Sequence, residues 1–240
     1  TYPGIWKDRP RMDSAWPSMC ENWRALWPLH QPESGTHDDA SGYINSYRFT
    51  HALERYLKPD EVIVTEMGAP LMAAHQILCI KPPQRLMTSG GLGEMGCGLP
   101  AAIGASFARD KGSVLCLTTD GGMMFNLQEL QTIVHHRLPI KIVVYNNAGY
   151  GMLKQTQENA GMALSGVDSM SGVSFPSFRH VALAFGITAS EVRTWEDFER
   201  IIPSFMARSD GPELIEYHMD PRQKYLPKLA TGEWIGAWGL

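Results

Sequence analysis

A three-layer α/β fold, with a mostly parallel sheet and helices on both faces, is predicted by three features of this chain. Apolar runs of strand length alternate with segments of helical periodicity from residue 41 onward. The strand runs are continuously apolar, as strands covered on both faces must be. Two of them end on Asp120 and Asn147, poor strand formers that offer oxygen atoms at the carboxyl ends of strands, where an open parallel sheet binds its ligands.

Residues 1–40 stand apart from this pattern. They hold Trp6, Trp16, Trp23 and Trp27 and the polar run "QPESGTHDD", and only "SMCENWRALW" is helical in character, without a strand to pack on. The stretch reads as the tail of a preceding domain plus a linker, with the boundary near Asp38–Ser41 and the main domain over 41–240.

From there each element has its own signal. Phe49, Leu53, Tyr56 and Leu57 share one helical face, and "EVIVT" (61–65) is a short buried strand. A small-residue helix is expected over about Leu99–Arg109, with Pro100 in its first turn. "SVLCLTT" (113–119) is a strand. Asn126 and Glu129 have the spacing of a capping box, and Leu127, Leu130 and Val134 form the inward stripe of the helix behind it. "IKIVVYN" (140–146) is a strand. Phe178, Val181 and Phe185 mark a helix stopped by Gly186; Trp195, Phe198, Ile202 and Phe205 mark another. The acidic residues through Glu191–Glu199 read as its solvated face, and "ELIEYHM" (213–219) closes the sheet.

Composition excludes several function classes. A net charge of −4 and a pI near 6.0 leave no electrostatic footprint for nucleic acid. No apolar run approaches the roughly 20 residues of a membrane span, and no signal peptide opens the chain. Cys20, Cys79, Cys97 and Cys116 form no CxxC pair, as expected of buried thiols in a reducing, cytoplasmic setting.

Two glycine-rich segments compete for the functional reading. "GLGEMG" (91–96) matches GxGxxG, and Asp120 follows at a spacing close to that of a dinucleotide fingerprint, which would make this an NAD-dependent oxidoreductase. That reading needs a central strand before the loop, and "QRLMTSG" is a poor one; it also leaves "DGG" and "NN" unexplained. The alternative takes the strand ends together. Gly121 and Gly122 let the backbone approach a phosphate, and a diphosphate beside Asp120 requires a cation between them. Mg²⁺ suits oxygen ligands from an aspartate, an asparagine amide and a backbone carbonyl.

With these residues in view, the chain resembles the thiamine-diphosphate enzymes of the acetolactate synthase family, over about residues 41–220. The resemblance rests on Asp120–Gly121 followed by Asn146–Asn147, and on "TSGGLGEMGCGLPAAIGA" (88–105). It implies a thiamine-diphosphate-binding fold, with residues 1–35 similar to the tail of the family's middle domain. It also implies that Asp120, Asn147 and the Gly149 carbonyl hold magnesium, with Gly121 and Gly122 donating backbone N–H groups to phosphate. By the same resemblance Met95 props the cofactor into its V shape, the Gly93 carbonyl accepts from its pyrimidine amino group, and Gly68 and Tyr150 border it. Met152, Leu153 and Thr156 fall on the substrate side, on a mobile loop extending through about Ser171. The chain departs from the family at Thr119, where the motif begins with glycine, and at Ala69–Pro70, where acetolactate synthases carry Gln-His. Thr156 stands where biosynthetic acetohydroxyacid synthases have tryptophan, which makes the form more similar to acetolactate-synthase-like proteins of surface-polysaccharide gene clusters.

The resemblance further implies decarboxylation of a 2-keto acid, with pyruvate as donor, and protonation or addition to a carbonyl acceptor. The glutamate that activates the cofactor comes, in the family, from a pyrimidine-binding domain of a neighbouring subunit, so a homodimer or tetramer is expected. No segment here matches that domain. FAD, where used, would sit in a domain not present here. A non-catalytic scaffold of the same fold is the rival reading. Among other candidates, His135 and His136 read as solvated helix residues and Glu94 as a local structural group, with Glu66 ending a strand on the crevice side.

Overall fold

The computed structural model describes residues 15–26, 39 and 42–226. The chain divides into two compact units, Thr1–Thr36 and His37–Leu240. In the first, α1 (Ala15–Leu26) carries Trp16 and Trp23 edge to face, 5.6 Å between ring centroids, and buries none of its residues. The rest of the expected tail and linker, apart from Asp39, lies outside the described residues.

The second unit is built on six parallel strands: β1 (Val62–Thr65), β2 (Arg85–Thr88), β3 (Val114–Thr119), β4 (Ile140–Asn146), β5 (Thr188–Val192) and β6 (Glu213–His218). Their order is β2-β1-β3-β4-β6-β5. Side chains alternate between faces along each strand, so each apolar run feeds two cores. Ile63, Leu117, Val143 and Tyr217 pack with α2 (Ser46–Glu54), α3 (Ala69–Ile77) and α9 (Trp195–Ala207). Val64, Cys116, Ile142 and Leu214 pack with α4 (Gly98–Phe107), α6 (Glu129–His136) and α8 (Phe178–Ala184). The architecture is the three-layer α/β sandwich expected from the sequence, and every strand pair is parallel.

Two strands and two helices escape the periodicity. Both β2, "RLMT", and β5, "TASEV", form the edges of the sheet, and most of their residues are exposed or only half-buried. The segment that is too weak for a central strand is therefore an edge strand, where one flank faces no neighbour. Glu191 belongs to β5 rather than to a solvated helix face, whereas Asp197 closes a capping box with Thr194 at the start of α9. The expected Asn126–Glu129 box does not form: α6 has no side-chain cap, and Asn126 turns elsewhere. Short α3 is dense in alanine, and α7 (Gly151–Asn159) replaces the first part of the expected mobile loop. Its Met, Leu, Lys, Gln and Glu residues favour helix. All four cysteines are free; Cys116 is buried but Cys79 is exposed, against the expectation of buried thiols.

The chain leaves β1 through α3 toward β2, and leaves β3 through α6 toward β4, on the opposite face. Between the carboxyl ends of β1 and β3 the strand order reverses, which opens the crevice where α/β sheets bind ligands.

Candidate functional site

Three strand ends converge on this crevice. After β1 come Glu66, Met67 and Gly68; after β3, Asp120; after β4, Asn147 and Gly149. A pocket of about 190 Å³ opens among them, lined by Gly68, Met95, Asp120, Asn147, Tyr150 and Tyr225, with Met152 and Leu153 at α7. The structure thus brings together most of the residues singled out from the sequence. Thr156, Gly93, Gly121 and Gly122 do not line the pocket. Thr156 lies farther along α7, its hydroxyl donating to the Met152 carbonyl at 2.9 Å. His135 and His136 lie in the last turn of α6, away from it.

Asp120 is almost fully enclosed, 1% exposed. Its carboxylate accepts from Gly121 N at 2.8 Å and Gly149 N at 3.0 Å. Burial nonetheless pushes its carboxyl up to about 7, against the downward pull of those backbone donors. One end of the Asn147 amide lies 3.3 Å from Asp120 Oδ2 and 2.6 Å from the Gly149 carbonyl, the other 3.1 Å from the Tyr225 hydroxyl; with nothing else bound, hydrogen bonding favours the nitrogen on the two oxygens. With the amide turned so that its oxygen faces them, three oxygens would meet with no proton between them, an arrangement that calls for a cation. Octahedral Mg²⁺ with oxygens at ~2.1 Å has neighbouring ligands about 3 Å apart, and the observed separations bracket that value.

The turn that carries these ligands is held by the first asparagine of the pair. Asn146 Oδ1 accepts from Ala148 N at 2.9 Å, and its Nδ2 donates to Glu216 Oε1 at 2.7 Å. Ala148 occupies the left-handed region, φ 57°, a strained choice for a residue with a Cβ. Opposite it, Thr119 caps the short helix α5 (Asp120–Met123), its Oγ1 accepting from Gly122 N at 2.9 Å. This is how the chain accommodates threonine where the family has glycine. It also means that the Gly121 and Gly122 N–H groups, expected to bind phosphate, already have partners in Asp120 and Thr119. Gly121 admits no side chain, since a Cβ there would collide with the Tyr150 ring.

The loop before α4 is fixed by a group whose role the sequence leaves open. Glu66, 1% exposed, accepts from Gly96 N and Gly98 N, both at 2.9 Å, and from Met67 N at 3.2 Å. From the other side Asn126 Nδ2 donates to the Gly96 carbonyl at 2.7 Å. Met95 is thereby pinned one residue from both clamps, at the pocket wall. Glu94 instead points outward and accepts from Ser89 Oγ at 2.5 Å. Replacing Glu66 with alanine leaves buried N–H groups without acceptors and is expected to destabilise the fold by about 3 kcal/mol. A urea midpoint shift worth no more than about 0.5 kcal/mol, the range of surface substitutions, would show that the clamp is idle.

Tyr225 was not legible as a site residue. It follows β6 on a segment without periodicity, yet is 3% exposed and reaches Asn147. Glu191, Glu216 and His218 also gather their ligand atoms within 4.8 Å of one another. Arg193 engages Glu191 there, and Asn146, Ser177 and Arg179 N engage Glu216, so this cluster is an ion-pair and hydrogen-bond network.

Comparison with known proteins gives a consistent result. Residues 66–217 match the family model "Thiamine pyrophosphate enzyme, C-terminal TPP binding domain". The acetolactate synthase large subunit of Porphyra purpurea is 32% identical over 228 residues, 95% of this chain and 37% of that protein. Isozyme 2 large subunit of Escherichia coli K12 is 32% identical over 217 residues, 85% of this chain and 39% of that protein. Isozyme 3 is 37% identical over 172 residues, 71% and 28% respectively. The chain thus spans between 28% and 39% of the length of these curated relatives. Among solved structures, a Rhodococcus jostii RHA1 thiamine diphosphate-dependent 4-hydroxybenzoylformate decarboxylase shares the fold, with a TM-score of 0.68 at 24% identity, over 78% of this chain and 34% of that one.

Proposed function

Because the chain belongs to the thiamine-diphosphate enzymes of the acetolactate synthase family, we propose that it supplies the magnesium- and diphosphate-binding half of a 2-keto acid decarboxylase or carboligase, with pyruvate as donor. The observation that carries this reading is the convergence of Asp120 Oδ2, the Asn147 side-chain amide and the Gly149 carbonyl, with separations of 2.6 and 3.3 Å that a turned amide oxygen would share with a cation. Family membership sets the NAD reading aside, and so does the position of "GLGEMG" after the edge strand β2 rather than a central one.

In this reading Asp120, the Asn147 amide oxygen and the Gly149 carbonyl would hold Mg²⁺, which would offset the charge of the diphosphate. Phosphate oxygens would compete with Asp120 and Thr119 for the Gly121 and Gly122 N–H groups, at the amino end of α5. Met95, pinned by the Glu66 and Asn126 clamps, would support the body of the cofactor, and the Gly93 carbonyl would accept from its pyrimidine amino group. When bound, thiamine diphosphate supplies the carbanion chemistry, while the protein orients it and excludes water. The pocket of about 190 Å³ falls short of the 300–1,000 Å³ of ordinary small-molecule sites. That shortfall supports a half-site completed by a pyrimidine-binding domain, in a homodimer or tetramer; any FAD would be held outside this chain. No helix among the described residues is long and apolar enough to cross a membrane.

Calorimetric titration of thiamine diphosphate with and without Mg²⁺ tests the reading. Magnesium-dependent binding is expected, and binding indifferent to the metal would overturn it. Absence of any binding, even with the facing domain supplied, would favour the scaffold alternative, for which Ala69–Pro70 is the motivation. On the substrate side, Met152 and Leu153 stand at the pocket rim and Thr156 lies beyond them on the same helix. Introducing Thr156→Trp is expected to narrow the range of carbonyl acceptors in the assembled enzyme. An unchanged product profile with bulky aldehydes would remove Thr156 from the substrate surface.

A further inference from the structure

The hydroxyl of Tyr225 has no part in the chemistry above, yet it touches one of the ligands. The residue is buried, 3% exposed, and its backbone is held on both sides. Gln155 brackets the backbone of the same residue, Oε1 accepting from Tyr225 N at 2.9 Å and Nε2 donating to Tyr225 O at 3.2 Å. The segment around it is tied down by Met219 N donating to the Asn146 carbonyl and by Gln223 bonding to Ser46.

The Asn147 amide has two orientations of nearly identical shape, and only one of them is satisfied by the protein's own groups. In one, its oxygen faces Asp120 Oδ2 and the Gly149 carbonyl, and its nitrogen donates to the Tyr225 hydroxyl at 3.1 Å. In the other, its nitrogen donates to Asp120 Oδ2 at 3.3 Å and the Gly149 carbonyl at 2.6 Å, and its oxygen accepts from Tyr225. The first gathers three bare oxygens and suits a cation. The second quenches those oxygens by hydrogen bonds and suits the metal-free protein. A tyrosine hydroxyl donates or accepts by turning one O–H bond, so it serves either orientation from a fixed ring. Gly151 keeps the space open, since a Cβ there would collide with the Asn147 amide nitrogen and lie 2.8 Å from the Tyr225 oxygen.

We infer that Tyr225 is a positioning residue that lets the Asn147 amide turn over between a metal-holding and a self-bonded orientation, leaving no buried amide group unpaired in either. The inference rests on the magnesium reading of Asp120, Asn147 and Gly149. Without the hydroxyl, the metal-holding orientation strands a buried N–H, and the self-bonded orientation competes with the cation.

The test uses Mn²⁺ as a probe of the site in the full chain, followed by electron paramagnetic resonance, with Mg²⁺ as competitor. Tyr225→Phe keeps the ring and is expected to weaken metal binding about 10–100-fold, as loss of a partner to a metal ligand commonly does. In an Asn147→Asp background the side chain has two equivalent oxygens and no unfavourable orientation. Tyr225→Phe should then change affinity by no more than about twofold, the scatter of independent sites. Absence of saturable binding in the unmodified chain, indistinguishable from Asp120→Ala, would sink the metal reading itself. Binding in the unmodified chain that Tyr225→Phe leaves intact would overturn the inference alone, and so would equal losses in both backgrounds. A second measurement needs no folded variant of Tyr225. The Asn147 side-chain amide resonances, assigned by their disappearance in Asn147→Asp, should move on Mg²⁺ titration. Resonances that stay in place while Mn²⁺ binds would reject the turnover.

Discussion

Asp120→Ala is expected to abolish magnesium-dependent binding of thiamine diphosphate while the chain still folds. Asp120 is the one charged side chain among the three converging ligands, and a neutral amide and carbonyl alone hold a strongly hydrated cation poorly. A loss of at least about 100-fold in metal affinity is expected, beyond the range of changes around a ligand. The fold should survive because Asp120 itself belongs to neither apolar core. Two effects on stability also oppose each other. The variant leaves Gly121 N and Gly149 N without their acceptor, but it removes a carboxyl that burial has driven up to about 7. Circular dichroism establishes that the variant is folded, and calorimetry with cofactor and Mg²⁺ reads the effect. Native-like affinity in a folded Asp120→Ala protein would remove Asp120 from the site.

The chain by itself is expected to release no CO₂ from pyruvate, even with thiamine diphosphate and Mg²⁺ at saturation. Activation of the cofactor needs a carboxylate acting on its pyrimidine ring, and this chain has none to spare near the pocket. Asp120 is the sole carboxylate among the described lining residues, and it is assigned to the metal. Glu66 is committed to the Gly96, Gly98 and Met67 N–H groups. Glu94 is exposed and bonded to Ser89, and Glu158 is paired with Lys224. Assistance of this kind is commonly worth ~10²–10⁴-fold, and a half-site open to solvent adds the cost of unprotected intermediates. Supplying the facing pyrimidine-binding domain should restore turnover. Magnesium-dependent CO₂ release from this chain alone would refute the division of labour, and Glu66→Gln, Glu94→Gln and Glu158→Gln would then locate the responsible group.

Much of the architecture was legible because buried parallel strands need continuous apolar runs. β1, β3, β4 and β6 all lie inside the sheet; β1 and β3 announce themselves in this way, and β4 and β6 do so around an interrupting Lys141 and Glu216. The two edge strands did not, since an exposed flank relaxes the demand for apolar residues, and "RLMT" and "TASEV" look like loops until a neighbouring strand pairs with them. Helix α7 was read as loop because the glycines and serines after it outweighed the helix formers within it. The Asn126–Glu129 spacing misled for a different reason. A capping box is a local pattern, but the Gly96 carbonyl, distant in sequence, competes for Asn126 and wins.

The sequence by itself determined where the strands end and what chemistry those ends present. Asp120–Gly121–Gly122 and Asn146–Asn147 are short local patterns, legible from neighbouring residues. The tertiary structure decided which groups hold that chemistry in place. Glu66 clamps the Met95 loop across 30 to 32 positions, and Tyr225 reaches Asn147 across 78. Thr119, an apparent mismatch in the line of residues, becomes a helix cap once β3 ends where it does. A buried donor or acceptor takes whichever partner the packed elements bring within about 3 Å, and that choice is made by the fold as a whole, not by the residues on either side.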